Sequence, residues 1–414
     1  MKTKIILLLL LITTLTVSAE NFSAVNEGKI IYYNITSAAN FTLEVTYKGT
    51  AYGENLNEYM GAISIPATID HLGKTYTVTS IGESAFRDCE KLNTVTIPST
   101  VQTIVKNAFT NCKGLSLVTM PESLSSIEKE AFSSCSGLLD IQIPAAVTVV
   151  YEKTFSGCSK LTNISIPKSV TTIESEAFGA CAALKVIKLP ASLNLLDEMA
   201  FDKCSSLLTF TIDSINKNFS TKDGLLFDKT YSELLHCGAG NISVSIPTSV
   251  KTIGSYAFSG CNKLASINLP ESVTTIRSNA FEDCTKLSSF VIPPSVNFVG
   301  TAAFMGCTGL INITIPTSVT TIDERVFYNC SALPLITIPA SITSIGKDAF
   351  YGCLLLKHII VEKTQPAKCE QTSFDNRNTY GCTLFVPVGT IPAYKAAPGW
   401  RNFYNVRENT VVKQ

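Results

Sequence analysis

The chain is poor in the residues that carry chemistry. Its 414 residues include three histidines, His71, His236 and His358, and one tryptophan, Trp400. The histidines are widely separated, and there is no His-Glu-x-x-His, Cys-x-x-Cys, phosphate loop or nucleophile elbow. His236 and Cys237 are adjacent, but neighbouring strand residues point to opposite faces, so they are badly posed as a nucleophile and its base. No catalytic residue, metal site or cofactor is expected, and the chain is not read as an enzyme. Charge is scarce as well: 16% of residues are charged, with 33 basic against 33 acidic. Without a basic stripe to neutralise a phosphate backbone, nucleic acid is not an expected partner. Beyond the first nineteen residues no apolar run is long enough to span a bilayer, so no membrane-spanning segment is expected in the mature chain.

Those nineteen residues read as a secretory signal. Lys2 and Lys4 precede an apolar run from Ile5 to Val17, and Val17-Ser18-Ala19 is a small-residue cleavage site that leaves Glu20 first in the mature chain. No Cys follows the run, which argues against a lipid anchor at that point. The expectation is a protein exported to the cell surface or beyond it.

What the chain does have is a period. Prolines recur at Pro98, Pro121, Pro144, Pro167 and Pro190, then at Pro247, Pro270, Pro293, Pro316 and Pro339, 23 residues apart within each series. Phe-x-x-Cys keeps step, from Phe86/Cys89 to Phe201/Cys204 and from Phe258/Cys261 to Phe350/Cys353. A fixed period in this range marks a solenoid, in which stacked coils together bury what no single coil can. In the unit 155–178, Ile164 and Ile166 alternate with Asn163 and Ser165 at strand period, and Pro167 ends the pairing. Ala177 and Phe178 are placed in a short helical turn that carries Phe inward. Strands are expected to include Ile97, Met120, Ile143, Ile166, Leu189, Ile212, Leu269, Ile292, Ile315 and Ile338.

The pattern Ile-Gly-x-x-Ala-Phe-x-x-Cys-x-x-Leu-x-x-Val-x-Ile-Pro from Ile81 to Pro98 resembles the BspA-like leucine-rich repeats of bacterial surface proteins. Tyr76 to Gly82 is similar to the segment leading into that family's first repeat. Leu384-Phe385-Val386-Pro387, Tyr394 and Trp400-Arg401-Asn402-Phe403 are similar to its C-terminal cap. The fold class is accordingly α/β and β-rich: a right-handed, curved leucine-rich-repeat solenoid of 23-residue repeats with β-rich terminal caps. The divisions are a signal peptide at 1–19, a β-rich cap at 20–75, the solenoid at 76–361 and a C-terminal cap at 362–414. The resemblance implies a secreted or cell-surface recognition or adhesion protein. Its expected partner is a protein of the host matrix or of another cell surface. The alternative is a structural spacer or coat component.

One unit breaks step. Pro190 is followed by Asp213 where a proline is due, and the series resumes only at Pro247, which makes 213–246 a 34-residue unit. Asp223-Gly224 and the apolar groups on either side of a polar turn read as a hairpin. Phe227 and Tyr231 on it are candidate binding residues, since rings contribute large contact area at small entropic cost. The other candidates lie on the open strand face: Asn163, Ser165, Asn312 and Thr314. That face is polar, nearly uncharged and free of Phe, Tyr and Trp. A protein is therefore expected there before a glycan, which would want rings to stack on. The repeat cysteines are read as small buried hydrophobes. Cys369 and Cys382 lie off the repeat and are candidates for a disulfide.

Overall fold

The computed structural model describes residues 21–49, 53 and 58–410. The signal-peptide reading lies outside them. The chain is a β-solenoid of about 14 turns. Each regular coil carries two strand segments, so the stacked coils present two parallel ladders on different sides. The first, typified by Asn163–Ser165, is the strand face. The second is made of two-residue strands such as Thr172–Ile173. Both pair in parallel register with the coil before or after, for example Ile141 with Ile164 and Val150 with Ile173. Strand-face segments alternate exposed, buried, exposed, which is the pleat acting on Asn-Ile-Ser or Asp-Ile-Gln.

Each conserved-in-register residue has a mechanical role. Every repeat Pro carbonyl accepts the amide three residues on, as in Val170 N to Pro167 O at 3.2 Å, so the proline opens the tight turn that leaves the strand. Two residues later, in most coils, a Ser hydroxyl donates to a carbonyl of the preceding coil: Ser169 to Val147 and Ser318 to Val296, for instance. The Cys thiols do the same on the opposite side. Cys158 Sγ lies 3.3 Å from Phe132 O, and Cys112 to Phe86 and Cys307 to Phe281 repeat the arrangement. Between these clips run the Phe rings. From Phe86 to Phe201 and from Phe258 to Phe374 they stack with centroids 4.8 to 5.8 Å apart and planes within 21° of parallel.

The segment carrying Phe is a run of tight turns rather than the short helical turn expected. In the coil around Phe178, Ala177 N, Gly179 N and Cys181 N bond three residues back, while Phe178 N and Ala180 N bond Ala200 O and Asp202 O of the next coil. A helix is ruled out by Glu176 and Ala180, at φ of 50° and 54°. The same left-handed pair flanks most of the Phe residues, for example Asn107 and Asn111, or Asn279 and Asp283. Left-handed backbone is unfavourable for residues with a Cβ. Here alternate amides bond within the coil and across to the next, and that pattern holds the conformation.

The strands are shorter than expected. Ile97, Met120, Ile143, Ile166, Ile292 and Ile315 fall just past the end of their strand, whereas Leu189, Ile212 and Ile338 are inside. The pairing stops early because the chain is already bending toward the proline. Leu269 belongs to no strand at all, for a reason that lies in the irregular coil.

That coil is a three-stranded antiparallel meander, Phe219–Lys222, Leu225–Asp228 and Glu233–His236. Its first turn is Asp223-Gly224 at φ of 52° and 80°, both positive as a two-residue hairpin of the primed type requires. The last strand joins the second ladder by pairing with Thr252–Ile253. The extra length goes into that side, and on the opposite side the strand face loses its regular pairing over 241–246 and 265–269. The buried core divides at the same place, into one cluster from Ile31 to Leu226 and another from Leu225 to Phe403.

Both ends are covered. Phe22–Asn26, Lys29–Ser37 and Thr42–Thr46 form an antiparallel sheet that passes into Lys74–Ile81, the first rung of the second ladder. At the other end Thr383–Val386 and Asn405–Glu408 extend the strand face. Trp400 is buried beneath them, its indole N–H donating to Ala367 O at 2.8 Å.

Candidate binding surface

Asn163 and Ser165 lie exposed on one regular stretch of the strand face, and Asn312 and Thr314 on another. Six rungs separate the two pairs, roughly 30 Å at strand spacing, so they share a face but not a site. Local order on the face comes from bonds between coils: Asn163 Nδ2 donates to Asp140 Oδ2 at 3.1 Å, and the Thr162 hydroxyl to Leu139 O. Apolar side chains stand among the polar ones, with Leu117, Val186, Val291 and Leu335 all exposed.

Between the two stretches the face is cut by a groove of about 310 Å³. It runs along Ser243–Ile246 and Ser266–Pro270, where the strand pairing is lost. Leu208 and Ile242 are exposed in the same part of the chain. Sequence reasoning found the break in the period but not the groove. The 11 surplus residues were visible; that they would be absorbed on one side and unzip the other was not.

Phe227, expected as a contact residue, is fully buried, and it is withdrawn as a candidate. Leu225-Leu226-Phe227 is an apolar strand covered on both faces: Leu226 enters the N-terminal core cluster, and Leu225 and Phe227 the C-terminal one. Tyr231 is half-buried. It packs on Phe227 at 5.3 Å, and its hydroxyl reaches Thr221 O at 3.4 Å. The hairpin is part of the wall.

The candidate disulfide between Cys369 and Cys382 is not formed, and both are free buried thiols. Cys369 sits in the second ladder beside Ile345, and Cys382 directly precedes the strand Thr383–Val386 of the other one. Burial pushes both thiols up, to about 11 and about 12, and raises Cys204 and Cys353 to about 12. Thiols so placed stay protonated and out of reach of solvent.

The histidines do not converge. His71 stacks on Phe22 at 3.8 Å, and His358 packs near Phe385. His236 is buried in the irregular coil between Phe201 and Phe210, and loss of hydration lowers it to about 4, so it is neutral. Among the described residues no three His, Cys, Asp or Glu side chains group to hold a metal, and no helix is long and apolar enough to cross a membrane.

The repeat geometry has a counterpart among known proteins. Six copies of the BspA type leucine-rich repeat region match residues 69–159 and 236–357, just over half of the chain. The chain belongs to the BspA-type leucine-rich-repeat family. Solved structures agree with this membership. A leucine-rich cell surface protein from Faecalibacterium prausnitzii A2-165 is 27% identical, covering 95% of this chain and 96% of that one with a TM-score of 0.59. A leucine-rich repeat protein from Bacteroides ovatus ATCC 8483 is 26% identical over 94% of this chain and 99% of that one, with a TM-score of 0.55. The pneumococcal vaccine antigen PcpA, at 20% identity, covers 94% of this chain and 99% of its own; its TM-score of 0.66 shows the shared fold. No curated protein is significantly similar in sequence to this chain.

Proposed function

We propose that the protein is exported and works at the cell surface as a non-enzymatic recognition or adhesion module that binds another protein through its strand face. The observation that carries this reading is the face itself. It is broad, of small polar residues with isolated apolar ones, and interrupted by the 310 Å³ groove at the irregular coil. A partner spanning the groove can lodge a side chain in it and take hydrogen bonds from the coils on either side. The family and the description of the F. prausnitzii relative as a cell surface protein support the location. Contacts spread over several coils should give affinity of about micromolar.

The test is surface plasmon resonance of the mature chain against immobilised host matrix proteins and surface proteins of neighbouring microbes. The expected result is binding that drops when Asn312→Ala is combined with Thr314→Ala, or when Ile242→Asp charges the groove rim. Binding unmoved by all three substitutions would refute the strand face as the site. A rod that binds none of these proteins but self-associates end to end in sedimentation would favour the spacer reading.

A further inference from the structure

Beside the buried Phe ladder runs a mostly half-buried row, the residue that follows each Phe. In most coils this is small or charged, as with Ser133, Ser156 and Asp202, but the last two regular coils place Tyr328 and Tyr351 there. Their rings stack at 5.5 Å with planes 12° apart, and the Arg325 guanidinium lies 5.9 Å from the Tyr328 ring. On the other side the series ends, because the next position is Asp375. Tyr351 is left 44% exposed. It borders a cavity of about 570 Å³ lined also by Asn329, Gln371, Thr372, Asp375 and Asn402, with Leu354 at its margin.

These groups narrow the chemistry of an occupant. The volume falls in the range of small-ligand sites, roughly 300–1,000 Å³. No lining residue is cationic, and the one charge is the Asp375 carboxylate, which disfavours an anion. Asp375 is held in place by accepting from Gly352 N at 3.3 Å and Asn378 N at 2.8 Å. A wholly apolar ligand would strip water from three amides without replacing their hydrogen bonds. A pyranose suits the set. Its C–H face lies on the electron-rich face of a tyrosine ring, and its hydroxyls both donate to and accept from amides. The strand face carries one outward aromatic side chain besides its histidine, Phe385, half-buried against His358, whereas Tyr351 stands exposed at the turn edge of the last coils.

We infer that this cavity is a carbohydrate subsite for a neutral glycan. Tyr351 is its platform, and Asn329, Gln371 and Asn402 are its hydrogen-bonding groups. It is independent of protein recognition on the strand face. The test titrates the mature chain with cellohexaose, maltohexaose, mannohexaose and chitohexaose, by calorimetry and by saturation-transfer NMR. At least one sugar should bind. Tyr351→Ala should raise its dissociation constant at least about tenfold, Asn402→Ala should weaken it, Tyr351→Phe should keep most of the affinity that Tyr351→Ala loses, and Ser156→Ala, at the equivalent position of an early coil, should leave it unchanged. Melting curves check that each variant is folded. Failure of all four sugars to bind, or unchanged binding in Tyr351→Ala, overturns the inference. So does a gelatin peptide digest that binds through Tyr351 while the sugars do not.

Discussion

At the scale of single residues, stability comes from identical side chains in identical places. Phe178 is fully buried between the rings of Phe155 and Phe201. Phe178→Ala should cost about 3–5 kcal/mol, because it removes a large side chain and leaves a hole that two rigid coils cannot close. Thr314→Ala, on the open face, should cost less than about 0.5 kcal/mol. Chemical denaturation of both variants is the check, and equal losses would show that the ring ladder is not the core. The cysteines offer a second check. All 14 are free and buried, so the native protein should resist iodoacetamide and take up label only on unfolding, read as intact mass. The packing roles of Phe, Leu and Cys were legible in the sequence, since their spacing puts them at one place in every coil. The Ser and Cys clips and the left-handed pairs were not. Each depends on where a carbonyl of the neighbouring coil lies, which a residue pattern does not encode.

At the scale of the element, the irregular coil departs most from its neighbours. Where a regular coil would place a ring to continue the ladder, Phe201 meets Phe210 and the neutral imidazole of His236 edge-on. The folded-state value of His236, about 4, lies below its ordinary 6.5, because burial removes the hydration its charged form needs. A hydrogen bond to the Asp197 backbone and the Asp197 charge oppose this only in part. With the folded value depressed, the unfolded chain binds the extra proton first as pH falls. The stabilising contribution is therefore whole above pH 6.5 and is lost between 6.5 and about 4, to the extent of about 3 kcal/mol. His236→Phe should flatten that part of the pH–stability profile relative to the parent chain. A profile of the same slope would mean that the imidazole is not the titrating group. The sequence announced the hairpin through Asp223-Gly224 but misjudged its exposure. Leu225-Leu226-Phe227 is too apolar to stand in water, and it separates the two core clusters by reaching into both.

For the whole molecule, that division has a measurable outcome. Each cluster holds its own ring ladder, and the clusters meet mainly at one non-repeating coil, with the Ser259 hydroxyl donating to Asp202 Oδ1 at 2.8 Å across the turn edge. Local cooperative units generally follow such boundaries. Native-state hydrogen exchange should therefore resolve two unfolding units that meet within 213–246, with Leu226→Ala loosening the N-terminal unit and Phe227→Ala the C-terminal one. Uniform protection lost in a single step across the boundary would contradict this. The overall architecture was readable from the period alone because a solenoid repeats one local solution. The cavity beside Tyr351 was not, since it arises only where the repetition stops. The Ser and Cys clips add a direction to the rod. Each donor belongs to the later coil and each acceptor to the earlier one. In a chain made from its N-terminus a finished coil thus offers the clip acceptors, and each new coil brings the Ser and Cys donors that close on them, while at the turn edge the finished coil's own amides, such as Phe178 N, wait for the new coil's carbonyls. Assembly can keep pace with emergence, one coil at a time, without waiting for the far end.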